Sequence, residues 1–458
     1  MHDLRVAFVS FSVYEGRNAI YPPLNLCTLA TQLEDAGYEV RVFDFAAPLS
    51  TIDPYYKEIA DFRPSLIGMA CFTPYISVFH RISRGLRAAV PNAAMVIGGY
   101  HVTVRPEESL QLMPQFDYAM QGECDYAIIA LAEMLEGKRF SKDVPGLVYR
   151  ENGEIRLNPR DVVDDVDVLP IARRSFLDRY YQKSMYGYLT VNSGLDMMIT
   201  SRGCPYRCSF CFKVEKRYRF RSSESVLAEM DMLQSRGVRH LHIMDDAFTV
   251  NKKRCHEIAD EMIRRKYGFK LKIRSRVNSI DLEILKKLKR AGVKEIVYGL
   301  ESGSQAILDS MDKHTTVELN ERAVQLTNKA GIFCVGDIMI GMPGETPDTI
   351  NETIAFLKRN MVIVGNVPYL YPLPGTKVYD DAKANGTLRG EWGTDDCVPW
   401  IKLPWIKSIG DLEVAKKRVE RAVHRNPVKA LYFIWHNPQF LSPGNIKKRI
   451  RQLYRMIR

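Results

Sequence analysis

Short apolar runs alternate with helix-spaced stretches five times before residue 145 and six times after residue 194. That repetition restricts the possible folds more than any other feature, because strands that alternate with helices build parallel sheets covered by helices. The first run, "LRVAFVSF" (Leu4–Phe11), is nearly continuous in apolar residues, as a strand buried on both faces requires. "PPLNLCTLATQLEDAGYEV" follows with helical spacing, and Gly37 stands where a helix C-cap would. Further strands are expected at Val40–Phe45, Pro64–Phe72, Ala93–His101 and Phe116–Asp125, with a helix near Ile76–Val90. Residues 1–145 therefore read as a doubly wound, Rossmann-like α/β domain. Ligands of such sheets sit at the carboxyl ends of the strands. The small or polar residues expected there are Ser10, Ser12, Thr73, Gly98, Gly99, Thr103, Gly122 and Glu123. No G-x-G-x-x-G follows a strand, which argues against a dinucleotide site. The bland reading of Gly98-Gly99 is a tight turn.

Residues 146–193 read as a linker carrying a hairpin. Asn152-Gly153 between two short strand-like runs is a type I′ signal. The stretch after it, with Asp161, Asp164, Asp165 and Asp167, reads as solvated.

At the end of the next run, "LDMMITS" (Leu195–Ser201), comes "CPYRCSFC": Cys204, Cys208 and Cys211 at spacing C-x3-C-x2-C. A structural zinc site wants four ligands, usually in two pairs. Cys255, Cys334 and Cys397 stand alone, so no second pair exists. Three thiolates suit a 4Fe–4S cluster with one iron left open to a substrate or cofactor. Strands at His240–Phe248, Leu271–Asn278, Glu295–Ser304, Phe333–Thr346 and Val364–Thr376 complete six strand–helix units. Residues 194–376 are thus expected to form a partial (β/α)6 barrel with its chemistry at the strand carboxyl ends. "SSES" and "DLEIL" offer helix N-caps.

C-x3-C-x2-C with an aromatic residue, Phe210, before the third cysteine resembles the signature of the radical S-adenosylmethionine superfamily. "YPPLNLCTLATQLEDAGYEV", "GGYHVTVRPEE" and "FDYAMQGECD" resemble the cobalamin-binding domain that precedes the barrel in one branch of it. The resemblance runs over Leu4–Thr376 in the usual domain order. It implies a 4Fe–4S cluster, S-adenosylmethionine and cobalamin as cofactors. It also implies a flavodoxin- or ferredoxin-type electron donor and reductive cleavage of S-adenosylmethionine to a 5′-deoxyadenosyl radical, with methylation of an unactivated carbon as the dominant chemistry. Cyclisation, ring contraction and dehydration are the enzymatic alternatives; a cobalamin or cluster sensor without turnover is the non-enzymatic one. By position, the resemblance places the S-adenosylmethionine contacts on Asp245, Asp246, Arg274, Arg276, Glu301, Ser302, Gly341 and Glu345. The family's glycine–glycine–glutamate turn is replaced by Asp245-Asp246, and the spacing at Gly341–Glu345 is not the usual one. D-x-H-x-x-G is absent, and neither His80 nor His101 has its context, which implies a cobalamin held without a histidine on its lower face. Tyr369 and Tyr371, assigned to the sixth strand, read equally as substrate contacts or as core.

Residues 377–458 form an α-rich C-terminal region. "GEWGTDDCVPWIKLPW" (Gly390–Trp405) suits a lid, and Cys397 within it reads as a plain buried thiol. Of the net +11, the last 38 residues supply +9: nine Lys or Arg and no Asp or Glu. Ile446, Ile450, Leu453 and Ile457 fall on one face of a basic amphipathic helix, which suits a packed terminal helix or a peripheral membrane contact. A lipid or tetrapyrrole substrate would fit such a tail. No nucleic-acid module accompanies the charge. No apolar run is long enough to span a bilayer and no signal peptide is visible, so a cytoplasmic protein is expected, and a monomer.

Overall fold

The computed structural model describes residues 2–11, 19–45, 52–182, 187–188, 194–393, 395, 397–424 and 426–437. They form two compact units, Met1–Ser193 with Glu391–Val398, and Gly194–Gly390 with Pro399–Arg458.

The first unit is built on strands β1 (Arg5–Phe11), β2 (Glu39–Phe45), β3 (Leu66–Ala70), β4 (Ala94–Gly98), β5 (Tyr118–Met120), β6 (Leu147–Glu151) and β7 (Glu154–Leu157). Their order is β2-β1-β3-β4-β5-β6-β7, with the first five parallel. This is a doubly wound sheet whose order reverses beside β1. Alternate residues feed two cores. Val6, Phe8, Val40 and Val42 meet the helices Leu24–Asp35 and Asp125–Leu135. Ala7, Val9, Phe43 and Phe45 meet Asp53–Phe62 and Ile76–Ala89. Gly37 takes φ +93° just past the first helix, and the Tyr38 N–H donates back to the Leu33 carbonyl at 3.0 Å. The hairpin turns at Asn152 and Gly153, both at positive φ (52° and 84°). It is not a free connector: β6 pairs antiparallel with β5 and extends this sheet.

The second unit holds six parallel strands in sequential order: β8 (Leu195–Met198), β9 (His240–Ile243), β10 (Lys270–Ser275), β11 (Val293–Glu301), β12 (Phe333–Ile338) and β13 (Ile363–Asn366). The expected partial barrel is borne out. Ser222 and Asp281 cap the helices Ser223–Ser235 and Leu282–Arg290, each accepting from the third backbone N–H. The core lies between strands and helices, where Met230, Leu241, Ile273, Ile296, Cys334 and Phe356 pack together.

Two expectations change. The sixth strand ends at Asn366, so Tyr369 and Tyr371 lie beyond it; Tyr369 packs on the core, and its backbone bridges Ile340. Cys397 is exposed rather than buried: the described residues on either side of it form no helix or strand that would cover it. Ser12 and the basic stretch 438–458, with its expected helix, lie outside the described residues. No helix among the described residues is long and apolar enough to cross a membrane.

Candidate active site at the strand ends

The cysteine loop leaves β8 through Gly203, at φ +73°. A Cβ there would collide with the Arg217 carbonyl, so glycine is required by both dihedral and space. The loop is pinned by the barrel around it. The Ser209 N–H donates to the Met311 carbonyl at 2.8 Å, and the Val378 N–H donates to the Ser209 carbonyl at 3.0 Å. Lys213 Nζ crosses the loop, donating to the carbonyls of Cys204 (2.9 Å) and Tyr206 (2.6 Å). Cys204 and Cys208 are buried and Cys211 is exposed. Protein nevertheless crowds Cys211, and that desolvation pushes its thiol up to about 11; Lys213 opposes this, while Cys208, Asp246 and Cys204 add to it. The three sulfurs and the Asp246 carboxylate thus share one electrostatic neighbourhood.

Arg276 braces this loop from β10's end. Its guanidinium lies 3.7 Å from the centre of the Tyr206 ring, Nη1 donates to Cys208 Sγ at 3.5 Å, and Nη2 donates to the Lys313 carbonyl. Asp245 braces it from β9's end. Its Oδ1 accepts from the backbone N–H groups of Thr200 (2.6 Å) and Ser201 (3.1 Å), and its Oδ2 from their hydroxyls (2.5 and 2.7 Å). Ser302 is also an internal brace: wholly buried, it bonds Thr353 Oγ1 at 3.0 Å and accepts from the Ser304 N–H at 3.1 Å.

The groups that face open space are different ones. A cavity of about 490 Å³ is lined by Arg274, Lys272, Asp337, Glu301, Phe210 and apolar residues including Val297, Val335 and Met339. Arg274 Nη2 pairs with Asp337 Oδ2 at 2.6 Å, and Lys272 Nζ with Glu295 Oε1 at 2.7 Å. Glu301 sits in the left-handed region, φ 60°, at an irregularity in the β11–β12 ladder. A non-glycine residue there is uncommon and costs about 1 kcal/mol or more. Its carboxylate is held by Lys313 Nζ at 2.9 Å. Asp246 is solvent-exposed, yet surrounding protein raises its carboxyl pKa, with Lys213 and Arg274 pulling the other way and Asp245 adding to the rise. Gly341 (φ +88°) opens the loop after β12, its N–H donating to the Glu345 carboxylate, and the Trp405 indole N–H donates to the Glu345 carbonyl at 2.6 Å. Lys313, Lys213, Lys272 and Asp337 escaped the sequence reading; no local motif marks them.

In the first unit the strand-end residues also gather. Thr103 Oγ1 donates to the Gly99 carbonyl and accepts from the Gly122 N–H, both at 2.9 Å, tying two glycine turns together. Gly99 and Gly122 take φ +95° and +85°. A Cβ on Gly99 would come within 2.9 Å of the Cys71 backbone, whereas one on Gly98 would meet nothing closer than 3.6 Å. Buried Thr73 bonds His101 Nδ1 at 3.2 Å. His101 is fully buried, and burial lowers its pKa to about 4, so its ring is neutral at pH 7. Ser10 is half-buried near the end of β1, in register with Asp44, and Glu123 is half-buried after Gly122.

The radical SAM superfamily model matches residues 198–357, and the B12 binding domain model matches residues 16–132. An uncharacterized methyltransferase, PH0819, of Pyrococcus horikoshii is 30% identical over 372 residues, 80% of each chain. The chain belongs to the cobalamin-binding radical S-adenosylmethionine enzymes. An anaerobic magnesium-protoporphyrin IX monomethyl ester cyclase of Cereibacter sphaeroides is 28% identical over 83% of this chain and 64% of its own. Among solved structures, the radical S-adenosylmethionine methyltransferase TsrM of Kitasatospora setae, with cobalamin and a [4Fe-4S] cluster bound, superposes with TM-score 0.71 at 23% identity, over 85% of this chain and 79% of that one. The cofactors of this radical S-adenosylmethionine enzyme are a 4Fe–4S cluster, S-adenosylmethionine and cobalamin.

The residues present fit these groups. The loop offers three thiols and no fourth, beside two cations, which suits a cluster with an open iron. The orphaned Nε2 of His101 is sealed inside the protein rather than offered outward, which suits a cobalamin with no histidine below it. Arg276→Met should test the brace. It keeps the volume but removes the donor to Cys208, and about ten-fold weaker cluster retention is expected, as outer-shell losses at metal sites show, read as irons per chain after desalting.

Proposed function

We propose that the enzyme methylates an unactivated carbon of a small lipophilic molecule, such as a lipid or a tetrapyrrole. The observation that carries this reading is a pinned three-thiol loop opening onto a charged cavity, in one chain with a cobalamin-binding domain. The relatives named as methyltransferases support it. Cys204, Cys208 and Cys211 would ligate the cluster. Bound here, the cluster and S-adenosylmethionine supply one-electron radical chemistry, and cobalamin supplies a transferable methyl group. The chain's own residues position and enclose. Arg274 offers a planar fork to a carboxylate, and Asp246 offers a negative charge to an ammonium group. Glu301, fixed by Lys313, presents a carboxylate to hydroxyl groups, and the Gly341–Glu345 loop would take the place of the family's adenine-contacting segment. Asp245, Arg276 and Ser302 act as positioning residues. Ser10, Thr73, Gly98, Gly99, Thr103, Gly122 and Glu123 would line the cobalamin site. Val297, Val335 and Met339 give the cavity its apolar wall, which limits where a reactive species can escape.

We read residues 1–145 as the cobalamin domain, 146–193 as its connector, 194–376 as the barrel and 377–458 as an appended region. A flavodoxin- or ferredoxin-type donor, a cytoplasmic setting and a monomer complete the proposal; nucleic acid has no part. The second reading is a cyclase that transfers no methyl group, favoured by the cyclases among the relatives.

The test is anaerobic reconstitution with iron, sulfide and hydroxocobalamin. Near one cobalamin and four irons per chain are expected. Turnover with deuteromethyl S-adenosylmethionine and extracts of candidate lipids and tetrapyrroles should then release 5′-deoxyadenosine and S-adenosylhomocysteine together with a labelled product. Deoxyadenosine and a dehydrogenated or cyclised product without label would establish the second reading.

A further inference from the structure

The doubly wound sheet of the first unit limits where a ligand can enter it. The helix Leu24–Asp35, which follows β1, packs on one face, and the helix Ile76–Ala89, which follows β3, packs on the other. β1 and β3 are neighbours, so their connections part and leave a crevice at the carboxyl ends of the two strands. Phe72 stands there, just past the end of β3, and is 51% exposed. Its main chain is fixed on both sides. The Cys71 N–H donates to the Gly98 carbonyl at 2.8 Å, and the Tyr75 N–H donates to the Phe72 carbonyl at 2.9 Å. Tyr100 backs the ring, with centroids 6.4 Å apart and planes inclined by 23°. The strip beside it carries no side chains: Gly98 and Gly99 follow one another at the end of β4, and Gly99 lies against the Cys71 backbone.

A single exposed phenylalanine is ordinary on a protein surface. Phe72 differs in being held rigidly beside bare glycine turns, in the ligand crevice of a cobalamin-binding domain. A corrin is a flat macrocycle whose cobalt can take a ligand above and below. His101, whose main-chain N–H bonds the Cys71 carbonyl, is wholly buried, and its Nδ1 is engaged by Thr73 Oγ1. It does not reach the surface of the crevice. An aromatic ring in that place has no lone pair for a metal and keeps water away from it, and the shell around a metal governs its solvent access and its potential. Flat apolar surfaces also gain by stacking on one another.

We propose that Phe72, backed by Tyr100, covers the lower face of bound cobalamin and keeps the cobalt's lower position free of any ligand. The inference rests on the cobalamin assignment and holds whichever reaction the barrel runs. The full-length protein, loaded with iron, sulfide and cobalamin, is brought to the cobalt(II) state and read by electron paramagnetic resonance. A nitrogen below the cobalt splits each cobalt line into a triplet, whether it comes from a histidine or from the cofactor's own benzimidazole. The wild type is expected to show no such splitting. Phe72→His, produced with nitrogen-15 histidine, should supply an imidazole from below and show a doublet, which the natural-abundance benzimidazole cannot give. Phe72→Ala should raise the cobalamin dissociation constant roughly ten-fold, through lost burial of the exposed half of the ring and lost stacking. The ring is exposed, so circular dichroism and irons per chain should stay unchanged and report an intact fold. Either of two results overturns the proposal. One is a triplet in the wild type, which would put the benzimidazole or a histidine below the cobalt. The other is a Phe72→His spectrum without the doublet, alongside a Phe72→Ala dissociation constant equal to that of the wild type, which would set the ring apart from the corrin.

Discussion

Asp245→Ala is expected to lower unfolding stability by about 2–5 kcal/mol and to strip the enzyme of iron. The carboxylate is 1% exposed and is the shared acceptor for four donors of Thr200 and Ser201, the two residues that lead from β8 into the cysteine loop. Alanine leaves two backbone N–H groups buried without a partner, at about 1–3 kcal/mol each. The hydroxyls can rotate, so their share is smaller. Asp245→Asn should fall between, because its amide accepts on one oxygen but turns an N–H against donors. Denaturant midpoints give the stability, and irons per chain give the consequence for the loop. If the alanine variant keeps its iron, the loop is held by Arg276, Lys213 and the Ser209 backbone pairs alone.

Asp245 also shows what the sequence could and could not reveal. A polar residue at a barrel strand end looks the same whether it faces the cavity or the backbone of its neighbour. Asp245 and Ser302 were legible as strand-end residues, but their hydrogen-bond partners lie 45 and 51 positions away. The strands themselves were legible because buried parallel strands are apolar runs between turns, and "LHI" in β9 or "FCVGDI" in β12 fits nothing else well. Arg274 and Arg276 illustrate the limit. Two residues apart in a strand, they should share a face. Strand β10 ends at Ser275, so alternation no longer governs Arg276, and it turns to the cysteine loop. The Glu301–Lys313 pair was invisible for a similar reason: a turn and a short helix bring the lysine back, and no periodicity encodes that return.

Glu345 sets a large pH effect expected between the acid and the neutral range. Burial raises its carboxyl from 4.5 to about 7, and the hydrogen bond from the Gly341 N–H offsets this only in part. A carboxyl with a raised folded-state pKa binds more protons folded than unfolded, so its ionisation costs stability as pH rises. Below about pH 4.5 both states are protonated and nothing is lost; between there and about 7 the unfolded state ionises while the folded one resists. At 1.36 kcal/mol per pKa unit, the loss reaches about 3 kcal/mol above pH 7. Glu345→Gln keeps the shape and an oxygen for the Gly341 N–H, and leaves the main-chain carbonyl that accepts from Trp405. The variant should match the wild type in denaturant midpoint near pH 4 and exceed it increasingly up to pH 7, where the gap levels off. A gap of constant size across that window would mean that the loop relaxes and lets water reach the carboxylate. The Gly341–Glu345 turn would then be an adaptable element beside the end of β12 rather than a fixed one.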